Sequence, residues 1–206
     1  MRIFLLLLFL PFSLFAQVSD ASILQKKAPG IFRAVFHTTK GNFTIEVPRS
    51  WSPHGADRLY QLIISGFFTD SYFYRVEPGF IVQFGIAAAT AINRFWDPLK
   101  IPDDPMLLKN TQGTISFARI GKNSRSTQLF INLADNKKLD VMSRNGLVGY
   151  TPVARIVSGF SVVQQLYAGY QKAPQLLQDS LYKYGNSYFI KRFPRLDKIQ
   201  KAEILP

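Results

Sequence analysis

The sequence predicts a mainly β fold, a barrel or closed sheet carrying two helices, and three observations predict it. Short apolar segments of period two recur along the chain between turns rich in Gly, Asn, Ser and Pro. Only two stretches hold a helical period. Apolar residues make up 47% against 18% charged, enough to fill one core and unlike a wholly disordered or multi-span membrane chain. With 206 residues, the chain suits one compact domain with short extensions.

Residues 1–16 are expected to form a secretory signal: Met1-Arg2 is a short positive start, Ile3 to Phe15 is almost wholly apolar, and Ala16 precedes a plausible cut. A retained spanning helix would need about 20 apolar residues, and Pro11 and Ser13 interrupt this stretch. The mature chain then begins near Gln17, and residues 17–30, ending in Lys26-Lys27-Ala28-Pro29-Gly30, are expected to be a flexible lead-in. Phe32, Ala34 and Phe36 alternate with Arg33, Val35 and His37, then Lys40-Gly41-Asn42 turns the chain into Phe43, Ile45 and Val47, which predicts a β-hairpin. Ser52-Pro53 supplies an N-cap and a proline at the first helical position, with Ala56, Leu59, Tyr60 and Ile63 at helical spacing and Gly66 as the stop.

Further strands are expected over 72–76, 80–84, 114–118, 128–133 and 152–157. The connection 85–112 is longer than most loops within a domain and is expected to be functional or wrapped on the surface. Residues 159–168 carry the second helical pattern, and a last strand over 199–205 is placed to close the sheet against the first hairpin.

The 25 Lys and Arg against 13 Asp and Glu give a formal charge of +12, but no run of five or six like charges occurs. The basic tail around Lys191-Arg192-Phe193-Pro194-Arg195 therefore predicts a solvated face. No nucleic-acid partner is expected, because no reading helix or aromatic RNA-binding signature accompanies the charge. Cysteine is absent and histidine occurs twice, which excludes disulfides, thiolate nucleophiles, iron-sulfur clusters and most imidazole metal sites. Asp103-Asp104 beside Pro105 offers too few oxygens for a dedicated calcium site and is expected to be a solvated loop. No cofactor and no metal are expected.

Two segments carry the chemistry: Tyr72-Phe73-Tyr74-Arg75-Val76-Glu77-Pro78-Gly79-Phe80-Ile81-Val82-Gln83, and Gly113 to Arg119 continuing through Ser126-Thr127-Gln128-Leu129-Phe130-Ile131-Asn132. Their order and spacing resemble the cyclophilin-type peptidyl-prolyl cis-trans isomerases, and the likeness covers roughly residues 32–168. The resemblance implies a closed antiparallel eight-stranded β-barrel capped by two α-helices, with residues 31–206 as one isomerase domain that includes a C-terminal extension from about 169. The Asp103-Asp104-Pro105 loop, Ser124 to Gln128 and the tail from Asn186 to Asp197 resemble a bacterial branch with a longer C-terminus.

The residue chemistry fits that activity. An amide resists rotation by about 18–20 kcal/mol, and an X-Pro bond flips over tens to hundreds of seconds. A catalyst must grip the ring and favour the twisted amide, in which nitrogen regains its lone pair. A fixed guanidinium that donates twice can do so, and Arg75 is the candidate. By resemblance, Gln83 orients Arg75 and reaches the peptide, and Phe80, Ile81, Phe130 and Leu139 line a slot for the proline ring. The resemblance also puts Tyr150 at the rim, and leaves Gln128 and the backbone around Ala118 and Arg119 to hold the residues preceding proline.

Taken singly, the apolar residues are more often core, Gln83 a surface strand residue and Arg75 half of an ion pair with Glu77 or an Asp. Their joint order favours the site. The sequence departs from the family pattern at Phe84 and Ala154, where glycine is usual, and rearrangement of the sheet is expected there. Arg119, Lys122 and Arg125 are expected to favour acidic residues before proline. The expected partners are proline-containing segments of exported proteins, met by a secreted or periplasmic monomer with no stable membrane insertion once the signal is cleaved. The competing expectations are a proline-peptide-binding chaperone or scaffold without turnover and, more weakly, a basic adhesion tail.

Overall fold

The computed structural model describes residues 21–206, so the signal segment expected over 1–16 and the start of the lead-in lie outside the described residues. The rest of the lead-in is docked against the body. Ala21–Gln25 forms a turn of 3-10 helix, Ile23 and Leu24 pack on the core, and Ala28 is buried. The Ala28 amide donates to Asp57 Oδ1 at 2.9 Å, and Gln61 Nε2 donates to the carbonyls of Leu24 and Lys26. The expected flexible segment is thus tied down from residue 21, because its backbone groups meet polar side chains on the first helix.

The chain then runs β1 (Ile31–Thr38), β2 (Gly41–Pro48), α1 (Pro53–Ile64), β3 (Ser71–Tyr72), β4 (Arg75–Glu77), β5 (Ile81–Phe84) and α2 (Thr90–Trp96). It continues through β6 (Thr114–Phe117), β7 (Leu129–Asn132), α3 (Lys137–Val141), the small hairpin β8 (Ser143–Arg144) and β9 (Leu147–Val148), and β10 (Pro152–Ser158). It ends with α4 (Phe160–Gln164), α5 (Gln178–Tyr184), α6 (Asn186–Arg192) and β11 (Lys198–Ile204). Among the described residues, nine strands rather than the expected eight form one antiparallel sheet, in the order β3-β11-β1-β2-β10-β6-β7-β5-β4, and it is curled rather than closed by pairing of its end strands.

The two ends of that order, β3 and β4, are separated in sequence by Phe73-Tyr74 alone, so the sheet has to curl until its edges meet. The strand expected over 72–76 is two strands for a packing reason. Phe73 points into the barrel core and Tyr74 into a second cluster with Leu181, Phe189 and Phe193 from the C-terminal extension. Both are fully buried, and the chain switches partners between them, from β11 to β5. The last strand pairs with β1 from Ala34↔Ile204 to Thr38↔Ile199. Among the described residues there are six α-helices rather than two, because the 85–112 connection contains α2, α3 follows β7, and the extension adds α5 and α6.

Period two sorts the sheet into faces. Val76, Val82, Phe84, Ile115, Phe117, Leu129 and Ile131 fill the barrel with Phe36, Phe43, Phe68 and Phe73. Phe84 occupies the interior, with ring centroids 5.7 Å from both Phe68 and Phe73, and its Phe84↔Leu129 register is unbroken. The expected rearrangement is therefore absent at Phe84. At Ala154 the register does shift, between Pro152 and Ala154 on β10.

Asp104 corrects the expectation of a solvated loop. Its side chain is buried, accepts from the backbone amides of His54 (3.1 Å) and Gly55 (3.0 Å) and from Ser52 Oγ, and pairs with the equally buried Arg125 at 2.9 Å. It thus caps α1 across sequence, and Ser52 makes no capping bond with its own hydroxyl. Burial pushes the Asp104 carboxyl up, but Ser52, Arg125 and the two amides outweigh it and hold the group below the ordinary carboxylate value. Asp57 behaves alike: burial raises it, while Arg49, the Ala28 amide and Lys27 bring it below its ordinary value.

Both carboxylates have depressed folded-state pKa values, so their contribution to stability is fully present above about pH 4, the unfolded value, and is lost as pH falls through the folded values. Thermal unfolding midpoints are expected to be level between neutral pH and about pH 5 and to drop below about pH 4. The paired variant Asp57→Asn with Asp104→Asn should flatten that acid limb, and an acid limb as steep as wild type's would rule these groups out as its source.

Candidate active site

The outward face of β4, β5 and β7 carries the chemistry-bearing residues, because alternation turns them away from the barrel core. Cross-strand register aligns Arg75 with Gln83 and Gln83 with Phe130, and sets Ile81 one step along the same face. Ile81, Phe130, Leu139 and Tyr150 form an apolar cluster of their own, separate from the barrel core, with Phe80, Ala118 and Met142 packed against it. Phe130 and Tyr150 meet edge to face at 5.4 Å. The slot residues expected from sequence are therefore contiguous in space.

A polar lattice holds this cluster's roof to the sheet. Asn136 Nδ2 donates to the Phe80 carbonyl (2.9 Å) and to Asn132 Oδ1 (2.8 Å), while the Leu139 amide donates to the Asn136 carbonyl and the Tyr150 amide to the Leu139 carbonyl. Asn110 Nδ2 donates to Asp140 Oδ1 and to the Tyr150 carbonyl, both at 2.9 Å, and Asn110 Oδ1 accepts from Ser116 Oγ. Asn110 is buried and fully used. Its position 22 residues before Asn132 and 30 before Asp140 left no sequence pattern by which to find it.

Arg75 stands at the open side of the slot. Its guanidinium carbon lies 5.4 Å from the Phe80 ring centroid. Nε donates to Glu77 Oε1 at 2.6 Å and Nη1 to Gln83 Oε1 at 3.4 Å, while Nη2 makes no hydrogen bond among the described residues. The expected ion pair with Glu77 is present, and the same side chain also reaches Gln83 and the Phe80 ring. The Glu77 pair is reachable by solvent, with side-chain exposures of 18% and 27%, so it is not a sealed charge pair. Pairs of this kind are worth about 0–1 kcal/mol, which lets a substrate carbonyl compete for the guanidinium. Lys138 adds a second cation, 4.3 Å from the Phe80 centroid.

Gln83 and Gln128 are turned toward each other behind Arg75. Gln83 Nε2 donates to Gln128 Oε1 at 3.1 Å, and Tyr74 Oη donates to the same oxygen at 2.7 Å. Close approach of the two strands makes this possible: Gly85 has φ 102°, and a Cβ there would lie 2.3 Å from the Thr127 carbonyl oxygen and 2.9 Å from Gln128 Cα. Tyr74 is fully enclosed, and burial pushes its phenol well above the ordinary value, so it stays a neutral donor. Tyr74 belongs to the first motif, but nothing in its spacing marked it as part of the network.

Two of the cations expected to favour acidic residues before proline are buried and committed to other partners. Arg119 is buried with its guanidinium 4.8 Å from the Tyr150 ring centroid, and Nη2 donates to the carbonyls of Leu147 and Gly149. It braces the β8–β9 hairpin. Arg125 is committed to Asp104. Of the three cations expected to favour acidic residues before proline, only Lys122 stays exposed. Ala118 lies at the cluster's edge with its amide bonded to the Gln128 carbonyl.

Residues 33–183 match the family described as cyclophilin type peptidyl-prolyl cis-trans isomerase/CLD. The chain is 32% identical over 130 residues to peptidyl-prolyl cis-trans isomerase A of Dickeya dadantii, covering 63% of this chain and 67% of that protein. It is 31% identical over 135 residues to peptidyl-prolyl cis-trans isomerase B of Escherichia coli, covering 64% and 81%. Among solved structures, a cyclophilin type isomerase of Cryptosporidium parvum superposes with a TM-score of 0.63 at 18% identity, over 85% of this chain and 98% of that one. A curled antiparallel sheet, a slot cluster on its outer face and a family match over most of the length agree: the chain belongs to the cyclophilin-type peptidyl-prolyl cis-trans isomerases.

Proposed function

We propose that this isomerase turns X-Pro bonds in exported polypeptides, with Arg75 and Gln83 as its catalytic pair. The observation that carries the reading is the tethering of Arg75: Nε and Nη1 are held by Glu77 and Gln83, and Nη2 remains to donate beside Phe80. Phe80, Ile81, Phe130, Leu139 and Tyr150 take the pyrrolidine ring. Arg75 then donates to the prolyl carbonyl and approaches the nitrogen as the amide twists and its lone pair localises, so the cation is better placed for the twisted state than for either planar isomer. No proton changes hands, because rotation about the amide neither makes nor breaks a bond to hydrogen. A structure of the Cryptosporidium parvum relative was solved in the presence of the dipeptide Ala-Pro, which supports proline-containing peptides as substrates here.

Export is proposed from residues 1–16 alone, with a secreted or periplasmic monomer as the working form. No helix of the described residues is long and apolar enough to cross a membrane. The test takes the mature chain, purified, in a coupled isomerisation assay on a short X-Pro peptide, together with cell fractionation and the mass of the exported form. Turnover above the spontaneous rate and a mass lacking residues 1–16 are the expected results. A full-length mass or a cytoplasmic protein would refute the export half without touching the catalytic half.

A further inference from the structure

Tyr182 lies in the extension beyond residue 168, C-terminal to the two motifs that carry the chemistry, yet its side chain ends the hydrogen-bond chain that starts at Arg75. Gln128 Nε2 donates to Tyr182 Oη at 3.0 Å. Read outward, the chain runs Arg75 Nη1 to Gln83 Oε1, Gln83 Nε2 to Gln128 Oε1, and Gln128 Nε2 to Tyr182 Oη. Its polarity is forced by chemistry. Arginine has no acceptor, so Gln83 must present oxygen to it and nitrogen to Gln128. Gln128 must then present oxygen to Gln83 and to Tyr74, and its amide nitrogen is left facing Tyr182.

We propose that Tyr182 is a positioning residue for the isomerase centre, acting through Gln128 and Gln83 to hold the Arg75 guanidinium in its working orientation. Without an acceptor at Tyr182, Gln128 Nε2 loses its hydrogen-bond partner among the described residues, and the chain can swing or flip at its middle link. The extension is built to hold that hydroxyl still. Leu181, the preceding residue, is fully buried against Tyr72, Tyr74 and Ile86. Two residues beyond α5, at the start of α6, the Asn186 amide donates to the Ala88 carbonyl and Asn186 Nδ2 to the Asp70 carbonyl at 2.7 Å. Burial pushes the Tyr182 phenol above its ordinary value, so the hydroxyl is neutral throughout the neutral range. On its other side, Tyr182 lines a cleft of about 620 Å³ with Arg94 and Asp97 of the 85–112 connection and Asp179 and Lys183 of α5. The tyrosine is therefore a wall between cleft and network rather than a residue sealed in the core.

This inference rests on the reading of Arg75 and Gln83 as the catalytic pair, and the experiment separates the two. Tyr182→Phe removes one oxygen and keeps the ring. In the purified mature chain it should lower kcat/KM for an X-Pro peptide by about two- to ten-fold, the range for one neutral hydrogen bond. The fall should lie in kcat, with KM and the unfolding midpoint near wild type. In a Gln83→Ala background, where the chain is already cut, the same change should have no further effect. Equal activity of Tyr182→Phe and wild type overturns the proposal. So does an equal fold-loss in both backgrounds, which would mark Tyr182 as structural. If Arg75→Ala, run alongside, retains wild-type turnover, the catalytic reading fails and the proposal falls with it. Should Tyr182→Phe lower the midpoint, Gln128→Ala replaces it in the same cycle, with the same outcomes deciding.

Discussion

Arg75→Ala is expected to lower kcat/KM for an X-Pro peptide by about 10²–10³-fold, the usual cost of removing one preorganised donor from a charge-stabilising site. Peptide affinity should change far less, because the apolar cluster of Ile81, Phe130, Leu139 and Tyr150 stays assembled without the guanidinium. Arg75→Lys is not expected to rescue. An ammonium is a point charge on a flexible stem whose three donors share one nitrogen, so it cannot reproduce the planar fork that reaches Glu77 from Nε and Gln83 from Nη1 and still faces the ring. Line-shape or exchange NMR on a proline peptide measures both quantities in one sample: the cis/trans exchange rate reports turnover, and shift perturbation reports binding. Turnover of Arg75→Ala within about three-fold of wild type would place the chemistry elsewhere, since a single lost neutral hydrogen bond already accounts for that much. A binding module without catalysis predicts shift perturbation with no exchange above the spontaneous rate in either protein, so the same experiment decides between the two readings.

Arg125→Ala is expected to cost about 3–5 kcal/mol of stability, because it strands a buried carboxylate. Arg125 donates through Nη2 to Asp104 and to the Pro102 carbonyl, and through Nη1 to Ser52 Oγ, with both members of the ion pair about 3% exposed. At about 2–4 °C per kcal/mol for a domain of this size, the unfolding midpoint should fall by roughly 10 °C. Arg125 is not part of the slot cluster, so the folded variant should keep the wild-type kcat/KM at low temperature. Replacing both partners, Arg125→Met with Asp104→Leu, removes the stranded charge and should recover part of the loss, less the cap that Asp104 gives α1. A loss under about 1 kcal/mol for the single variant would mean the pair is wet and of the surface kind.

These two arginines mark the limit of what residue patterns reveal. Arg75 was legible because a strand, a Pro-Gly turn and a second strand fix its distance from Phe80 and Gln83 within nine residues. The register follows from the turn: it pairs Arg75 with Gln83 on one face and leaves Phe80 in the turn beside the guanidinium. Arg125 was expected at the cleft and is found buried. Which of several cations finds a carboxylate depends on where residues 97–106 fold back over α1, and no local period encodes that. The same holds for Asp104, which has the composition of a loop and the burial of a core residue. Phe84 could be judged only once the barrel interior was seen to have room for a ring between Phe68 and Phe73.

The sequence by itself determined the outward row of Arg75, Gln83 and Phe130, the strands that bear it, and the final strand that joins the first hairpin, because alternation and turn chemistry act over a few residues. Tertiary structure alone decided that Tyr74 and Gln128 share one hydrogen-bond network, that Asn110 locks the slot's roof, and that Tyr182 reaches the centre from the extension. Those contacts join residues 54, 40 and 30 positions apart, and at such separations only the curled sheet and its packed extension determine which polar atoms meet.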